Sequence, residues 1–259
     1  MAELLTSEPP ACQAPEGTPS ARRGALMFSS PFLLGGQAAK AGLSCSSCHV
    51  NGRGTPGFFF AGISGAPGTA DVTHGLFGPR RDDAIFNPVA IPDLAQLEGR
   101  KLDRRDTGRV LDFLRSQIAD EFEGTPPSNS MLHDLAAYLQ SLDASACPDP
   151  GRSPLRAEDD LQDAIDSYRA SIDPGLPAQP DRAGYALAAR HALGRLHARY
   201  PARQDRGLRL AIESVSRRIG EGAAKAPVLR DLEALRLPLR TAETRSLYSI
   251  TVVADWLEE

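Results

Sequence analysis

The sequence predicts an all-α protein in two parts, a domain with long Gly-rich loops followed by a C-terminal helical bundle. Glycine, proline, serine and threonine dominate residues 42–80, which is the composition of a loop region. Apolar side chains recur at helical spacing from about residue 103 to the end of the chain. The sequence Cys147-Pro-Asp-Pro-Gly interrupts that spacing, so we place the domain boundary there.

The first part is expected to consist of a flexible segment and a domain. Residues 1–20 are rich in Pro, Ser, Thr and Glu and are predicted to be flexible. Residues 21–147 form the first domain, with helices expected over residues 21–28, 110–122 and 131–142. The loop over residues 42–80 is unusually long for a compact domain, and such loops are usually functional. A bound cofactor could supply the apolar core that this loop lacks.

The second part, residues 148–259, is predicted to be helical throughout. Leu161, Ile165, Tyr168 and Ile172 define one apolar face, and similar faces recur further along the chain. The predicted helices cover residues 161–172, 185–200, 208–219, 228–239 and 247–257. Amphipathic helices with short connections are typical of a small bundle. The sequence does not indicate the role of this domain.

Composition and charge exclude some partners. The formal net charge is −4 and no basic stripe is present, so we expect no nucleic-acid partner. No run of 18 apolar residues occurs, so no transmembrane segment is expected. The acidic surplus lies before residue 150 and would attract a basic partner, although a mild surplus is more often a solvated surface.

The most informative motif is Cys45-Ser-Ser-Cys48-His49. Two thiols at this spacing can add to the two vinyl groups of one haem, and the next residue, His49, can then bind the iron. The sequence therefore predicts a covalently attached haem c. A zinc site would need two further ligands, but Cys12 and Cys147 are distant single cysteines. A thioredoxin-like dithiol would need a strand before the motif and a helix after it, and neither is indicated.

The expected location follows from the same motif. Haem attachment to such a motif takes place outside the cytoplasm, so we expect an exported, periplasmic protein. Residues 1–19 have neither a basic region nor an apolar core and do not read as a signal peptide. We therefore expect the sequence to be that of a mature or trimmed chain, or one that starts at the wrong Met.

Residues 24–142 resemble a cytochrome c domain of the bacterial di-haem cytochrome c peroxidase and MauG-like group. Four segments carry the resemblance: Gly24-Ala-Leu-Met-Phe28, Ser44 to His49, Asn87 to Leu94, and Leu135-Ala-Ala-Tyr-Leu-Gln-Ser-Leu142. The resemblance implies a haem domain and a redox partner protein. Di-haem peroxidases carry two CxxCH motifs, whereas this chain has one. An electron relay between two haems within this chain is therefore impossible.

The second axial ligand of the iron decides the function, because a strong ligand favours electron transfer and an open site permits ligand or peroxide chemistry. His74 is the first candidate, since the resembling domain carries a distal histidine followed by glycine in this loop. Met131, just before the closing helix, is a weaker candidate. Met27 is expected to pack in the core, and His133 is expected to lie on a helix surface. His191 and His197 are expected to be structural or exposed.

Other side chains have supporting roles that stay open at this stage. Cys12 and Cys147 flank the first domain and could form a disulfide in an oxidising compartment. Tyr138 and the aromatic residues 58–60 could pack on a porphyrin or fill the protein core. Arg53, Arg80 and Arg81 could pair with haem propionates or remain solvated.

Three functions compete. The first is a mono-haem one-electron carrier in the periplasm. The second is a cytochrome c peroxidase-like enzyme that reduces hydrogen peroxide with an external electron donor. The third is a haem-based sensor or partner-binding protein.

Overall fold

The structure, a computed structural model, describes the chain except for residues 14–16, 97–104, 147–150 and 259. The chain divides into two compact units. One unit comprises Pro9–Gly151 and is called the loop-rich unit. The other comprises Met1–Glu8 together with Arg152–Glu259 and is called the helical unit. The chain is mostly helical and has few strands, so the prediction of an all-α fold is confirmed.

The helices are α1 Ala2–Thr6, α2 Pro19–Phe28, α3 Gly36–Lys40, α4 Cys45–Cys48, α5 Thr107–Ser116, α6 Asn129–Ser141, α7 Ala157–Ser171, α8 Ala183–Ala198, α9 Arg206–Gly220, α10 Lys225–Ala234, α11 Arg236–Ala242 and α12 Ile250–Glu258. The strands of the described residues are β1 Ser7–Glu8, β2 Thr69–Ala70, β3 Val89–Ala90 and β4 Ser153–Pro154. In the described part of the chain, no helix is long and apolar enough to cross a membrane.

Helices α2 and α6 cross at Gly24 and form the scaffold of the loop-rich unit. A Cβ atom at Gly24 would lie 2.0 Å from the carbonyl oxygen of Asp134, so only glycine permits this approach. The buried Asp134 carboxylate accepts hydrogen bonds from Nε and Nη2 of Arg23 at 2.7 and 2.8 Å. The rings of Phe28 and Tyr138 pack with their centroids 5.1 Å apart. Two of the four segments that carry the family resemblance, the first and the last, therefore contact each other.

The loops of this unit have a small core of their own. Ile63, Ala70 and Phe77 are buried together, beside the antiparallel pair of β2 and β3. Partly buried residues pack around them: Leu43, Phe58, Leu76, Ile91 and Phe122. Leu43 precedes the cysteine motif by two residues and Ile91 precedes Pro92, so this cluster adjoins the segments of the candidate site.

The helical unit has a continuous apolar core formed by α7 to α11 and Tyr248. The helix predicted over residues 228–239 is instead two helices, α10 and α11, which meet at Leu235. Both carry the predicted apolar face, since Val228, Leu232 and Leu239 are all buried. The apolar spacing continues across the break, and for this reason the sequence pattern did not reveal it.

The N-terminal residues differ from the expected flexible segment. Residues 2–6 form α1 and residues 7–8 form β1, which pairs with β4. Thr6 and Ser7 are buried, and Arg152 donates from Nε to the hydroxyl oxygen of Ser7 at 2.8 Å. These contacts assign the start of the chain to the helical unit. The sequence did not predict them, because the partner strand lies more than a hundred residues away and no local pattern reveals the pairing.

Candidate cofactor site

The two motif cysteines lie on a single helical turn. Gly42 has a φ of 72°, which turns the chain before the motif. Ser44 then caps α4 through reciprocal hydrogen bonds with Ser47. Cys45 and Cys48 are free thiols of intermediate burial. Residues 42–80, expected to be loop only, therefore contain a short helix at the position where the chemistry is predicted.

Both thiols are held in the protonated form. Burial raises the pKa of Cys45 to about 12 and that of Cys48 to about 11. Cysteines of redox-active dithiols usually have a lowered pKa, because the thiolate is the nucleophile. At neutral pH this site offers two neutral thiols, which does not favour a thioredoxin-like dithiol.

His49 ends α4 and is oriented by the chain beyond it. Its Nδ1 lies 3.1 Å from the carbonyl oxygen of Pro92. A carbonyl only accepts, so Nδ1 carries the hydrogen and Nε2 of the neutral ring keeps its lone pair. Burial lowers the pKa of His49 to about 4, while the Pro92 hydrogen bond and the Asp93 charge act to raise it. The ring is therefore neutral at physiological pH, as a metal ligand must be.

The segment after His49 turns tightly. Asn51 and Gly52 have positive φ values of 53° and 73°. A Cβ atom at Gly52 would lie 2.4 Å from a methyl carbon of Leu142, so a side chain there would displace Leu142 as well as strain the backbone. The side-chain amide of Asn51 donates to the carbonyl oxygen of Pro9 at 2.8 Å. These contacts fix the direction in which the chain leaves the motif.

Arg53 connects this segment to residues that follow Pro92. Its Nε lies 2.7 Å from the Asp93 carboxylate, and its Nη1 lies 2.6 Å from Sγ of Cys12. The other Asp93 oxygen accepts from the Ala95 backbone N–H at 2.9 Å. Arg53 is therefore engaged within the protein, which is not the role expected of a propionate partner.

The residues of this site fit a haem attached through two thioethers. Two free thiols lie one helical turn apart, and the adjacent imidazole presents Nε2 with no hydrogen bond in the described part of the chain. Among the described residues, no group of three or more His, Cys, Asp or Glu side chains is arranged to hold a metal ion. A haem iron differs from such an ion because the porphyrin supplies four of its ligands.

The candidates for the second axial ligand lie in contrasting surroundings. His74 is exposed, and its Nδ1 accepts the Leu76 backbone N–H at 3.1 Å. In the neutral ring Nε2 then carries the hydrogen, the opposite arrangement to that of His49. Iron binding through Nε2 would require this hydrogen bond to break. Met131 is fully buried at the start of α6, where its N–H donates to the Ser128 hydroxyl at 3.1 Å.

The remaining histidine and methionine candidates lie as expected from their sequence context. Met27 is fully buried in α2 and His133 is exposed on α6. His191 and His197 lie on α8 of the helical unit. Nε2 of His197 is 2.8 Å from Oε1 of Glu213. Burial and the nearby Arg195 charge lower the pKa of His191 to about 4, against the opposing charge of Asp160.

The supporting residues divide between core and surface. Tyr138 is buried and Phe58 is partly buried. Phe59 is 58% exposed and Phe60 is 42% exposed. Arg81 forms an ion pair with the buried Glu121, and Arg80 is exposed. Cys12 is fully buried and disulfide-bonded. Cys147, the partner expected for it, lies outside the described residues, so the Cys12–Cys147 disulfide stays a prediction.

Pro92 and Asp93 belong to the site but were not singled out from the sequence. Both lie in residues 87–94, which the resemblance included without assigning a role to either residue. Pro92 contributes a backbone carbonyl, and any residue type could supply one. The only sequence feature that could have pointed to Pro92 and Asp93 was the position of their segment between the Gly-rich loop and α5.

No protein-family model matches the chain, and comparisons with curated proteins and with solved structures found no match. The resemblance to the di-haem peroxidase group therefore stays a prediction that rests on the four sequence segments.

Proposed function

We propose that this chain is a mono-haem c-type cytochrome that transfers single electrons in the periplasm. The observation that carries the proposal is the geometry of His49, which follows two free thiols and has its Nδ1 hydrogen directed at the Pro92 carbonyl. This hydrogen bond orients the ring and raises its basicity as a ligand. A surface histidine beside a chance pair of cysteines would need no such partner.

Each residue of the motif has a distinct part in this proposal. Cys45 and Cys48 would hold the haem through two thioethers, formed by addition of each S–H bond across one vinyl group. His49 supplies the axial nitrogen, and the Pro92 carbonyl holds its ring in place. When bound, the haem supplies an iron that cycles between its ferric and ferrous states. The thioether links keep the cofactor attached although the unit has only a small core around its loops.

The distal ligand proposed for this carrier is His74, with Met131 as the weaker candidate. Two strong axial ligands favour electron transfer, because the iron coordination then changes little between oxidation states. A redox partner protein would supply or accept the electron. A sensor or partner-binding function would place the binding surface on the helical unit.

The experiment is expression with a periplasmic export signal and a haem-maturation system. We expect a red protein whose intact mass exceeds that of the bare chain by one haem, and whose haem resists extraction by acid and acetone. Cys45→Ala together with Cys48→Ala should abolish the covalent link. Ser46→Ala is the matched control, since Ser46 lies between the cysteines and its hydroxyl lies 2.9 Å from that of Ser44. Extractable haem in the wild-type protein would refute the proposal.

One observation favours a second candidate, a peroxidase-like enzyme. His74 keeps its Nδ1 engaged with the Leu76 N–H and presents Nε2–H to solvent. If His74 stays in that state, it acts as a hydrogen-bond donor and does not bind the iron. An open iron permits peroxide chemistry. A high-spin ferric spectrum and rapid reaction with hydrogen peroxide would favour this candidate over the carrier.

A further inference from the structure

Residues 49–54 and residues 91–93 of the loop-rich unit approach each other at three points. His49 contacts Pro92, and Arg53 contacts Asp93. In the same two segments, a Cβ atom at Gly54 would lie 2.9 Å from the carbonyl oxygen of Ile91. The ion pair thus lies beside the hydrogen bond that orients the proposed iron ligand. This inference rests on the proposed function, because it assigns a role to the surroundings of that ligand.

We propose that Arg53 and Asp93 form a charge pair that holds residues 91–93 against His49 and sets the reduction potential of the haem. Asp93 follows Pro92 directly, so its carboxylate lies close to the bond that His49 donates. The ferric haem carries one more positive charge than the ferrous haem. A nearby carboxylate therefore stabilises the ferric state, and a nearby guanidinium offsets that effect.

The surroundings of the pair support a fixed role. The side chains of Arg53 and Asp93 are only 15% and 24% exposed, so solvent screens their charges less than those of surface pairs. Each partner has a second contact, Arg53 with Sγ of Cys12 and Asp93 with the Ala95 N–H. Both ends of the pair are anchored, so the charges stay at defined positions when the haem is bound.

The test is the reduction potential of the haem-loaded full chain, measured by redox titration of the Soret and α bands. Asp93→Asn leaves the Arg53 charge unopposed and should shift the potential to a more positive value. Arg53→Gln leaves the Asp93 charge unopposed and should shift it to a more negative value. The reduction potential of the double variant should lie close to that of the wild type. Arg53→Lys retains the positive charge, so its potential should shift much less than that of Arg53→Gln.

Arg115→Gln is the matched control. It removes the arginine of an exposed ion pair on α5, whose side chains are 42% and 82% exposed, and it should leave the potential unchanged. Shifts of the two single variants in the same direction, or no shift in either, would overturn the charge-pair proposal while the haem assignment stands. A wild-type protein without covalent haem would overturn the proposed function, and this inference with it.

Discussion

The carbonyl oxygen of Pro92 lies 3.1 Å from Nδ1 of His49, although 43 residues separate the two positions in the chain. The contact decides which ring nitrogen carries hydrogen and leaves Nε2 available as a ligand. It connects a local motif, Cys45 to His49, with a distant segment of the same unit. The motif that predicts cofactor attachment therefore ends at a histidine whose ring is oriented by a distant segment of the fold.

The distal ligand can be identified by substitution. His74→Ala should convert a low-spin spectrum to a high-spin one and open the iron to carbon monoxide or cyanide, because the proposed second ligand is removed. Met131→Leu should change the spectrum little and cost less than about 1.5 kcal/mol of stability, since the volume is nearly conserved. A weak long-wavelength band typical of sulfur bound to ferric iron would instead assign Met131 or Met27.

The α2–α6 crossing should not tolerate a side chain at Gly24. Gly24→Ala would place a Cβ atom 2.0 Å from the Asp134 carbonyl oxygen, so the two helices must move apart. We expect a loss of about 2 kcal/mol or more in the free energy of unfolding of the loop-rich unit. Urea titration followed by circular dichroism measures this loss.

Gly108→Ala is the matched control for that crossing, since Gly108 lies in α5 and, among the described residues, its Cβ would meet only a side-chain oxygen of Asp106, at 3.4 Å. The change should be neutral, or should stabilise by about 0.5–1 kcal/mol through helix propensity. Equal effects of the two substitutions would contradict the tight crossing.

The stability of the helical unit should fall in mildly acidic solution because of His191. Its pKa is lowered from 6.5 to about 4, mainly by burial. Between these values the unfolded chain binds more protons than the folded unit. The contribution of the neutral His191 to the free energy of unfolding is therefore complete above about pH 6.5 and is lost as the pH falls towards 4.

Urea titrations at several pH values, followed by fluorescence of Trp256, the single tryptophan of the chain, measure this dependence. Trp256 lies on α12, within the helical unit. His191→Gln should flatten the slope between pH 4 and 6.5. A variant with the full wild-type slope would show that other groups cause it.

Residues 1–8 should stabilise the helical unit and not the haem site. Arg152 bonds to Ser7, and Nη1 of Arg199 donates to the Leu5 carbonyl oxygen at 3.0 Å. A chain that begins at Pro9 should retain covalent haem and its spectrum, but the helical unit should unfold at lower urea. A chain of residues 9–151 alone should also hold the haem. Loss of the haem from either chain would show that the unit boundary is functionally wrong.

Arg152→Gln tests the same contacts by a single substitution. It removes the hydrogen bonds to Ser7 and should lower the stability of the helical unit less than the deletion does. An effect larger than that of the deletion would mean that Arg152 acts through contacts other than those with the N-terminal residues.

The sequence by itself determined the features that depend on local pattern. Helical spacing of apolar residues predicted the all-α class and positioned α6 and α9 to within about two residues, because a buried helical face repeats every three to four residues. The CxxCH motif predicts a haem and its first axial ligand, because thioether formation and iron binding require these residue types at this spacing, and both stay predictions.

Only the tertiary structure decided the contacts between distant segments. The assignment of residues 1–8 to the helical unit depends on the pairing of β1 with β4. The orientation of His49 depends on a backbone carbonyl, and that of His74 on the Leu76 N–H. Backbone groups are the same in every residue except proline, which lacks the N–H, so their partners leave no signature in the sequence. The charges that surround the proposed iron ligand were fixed by how the chain folds back at Asp93.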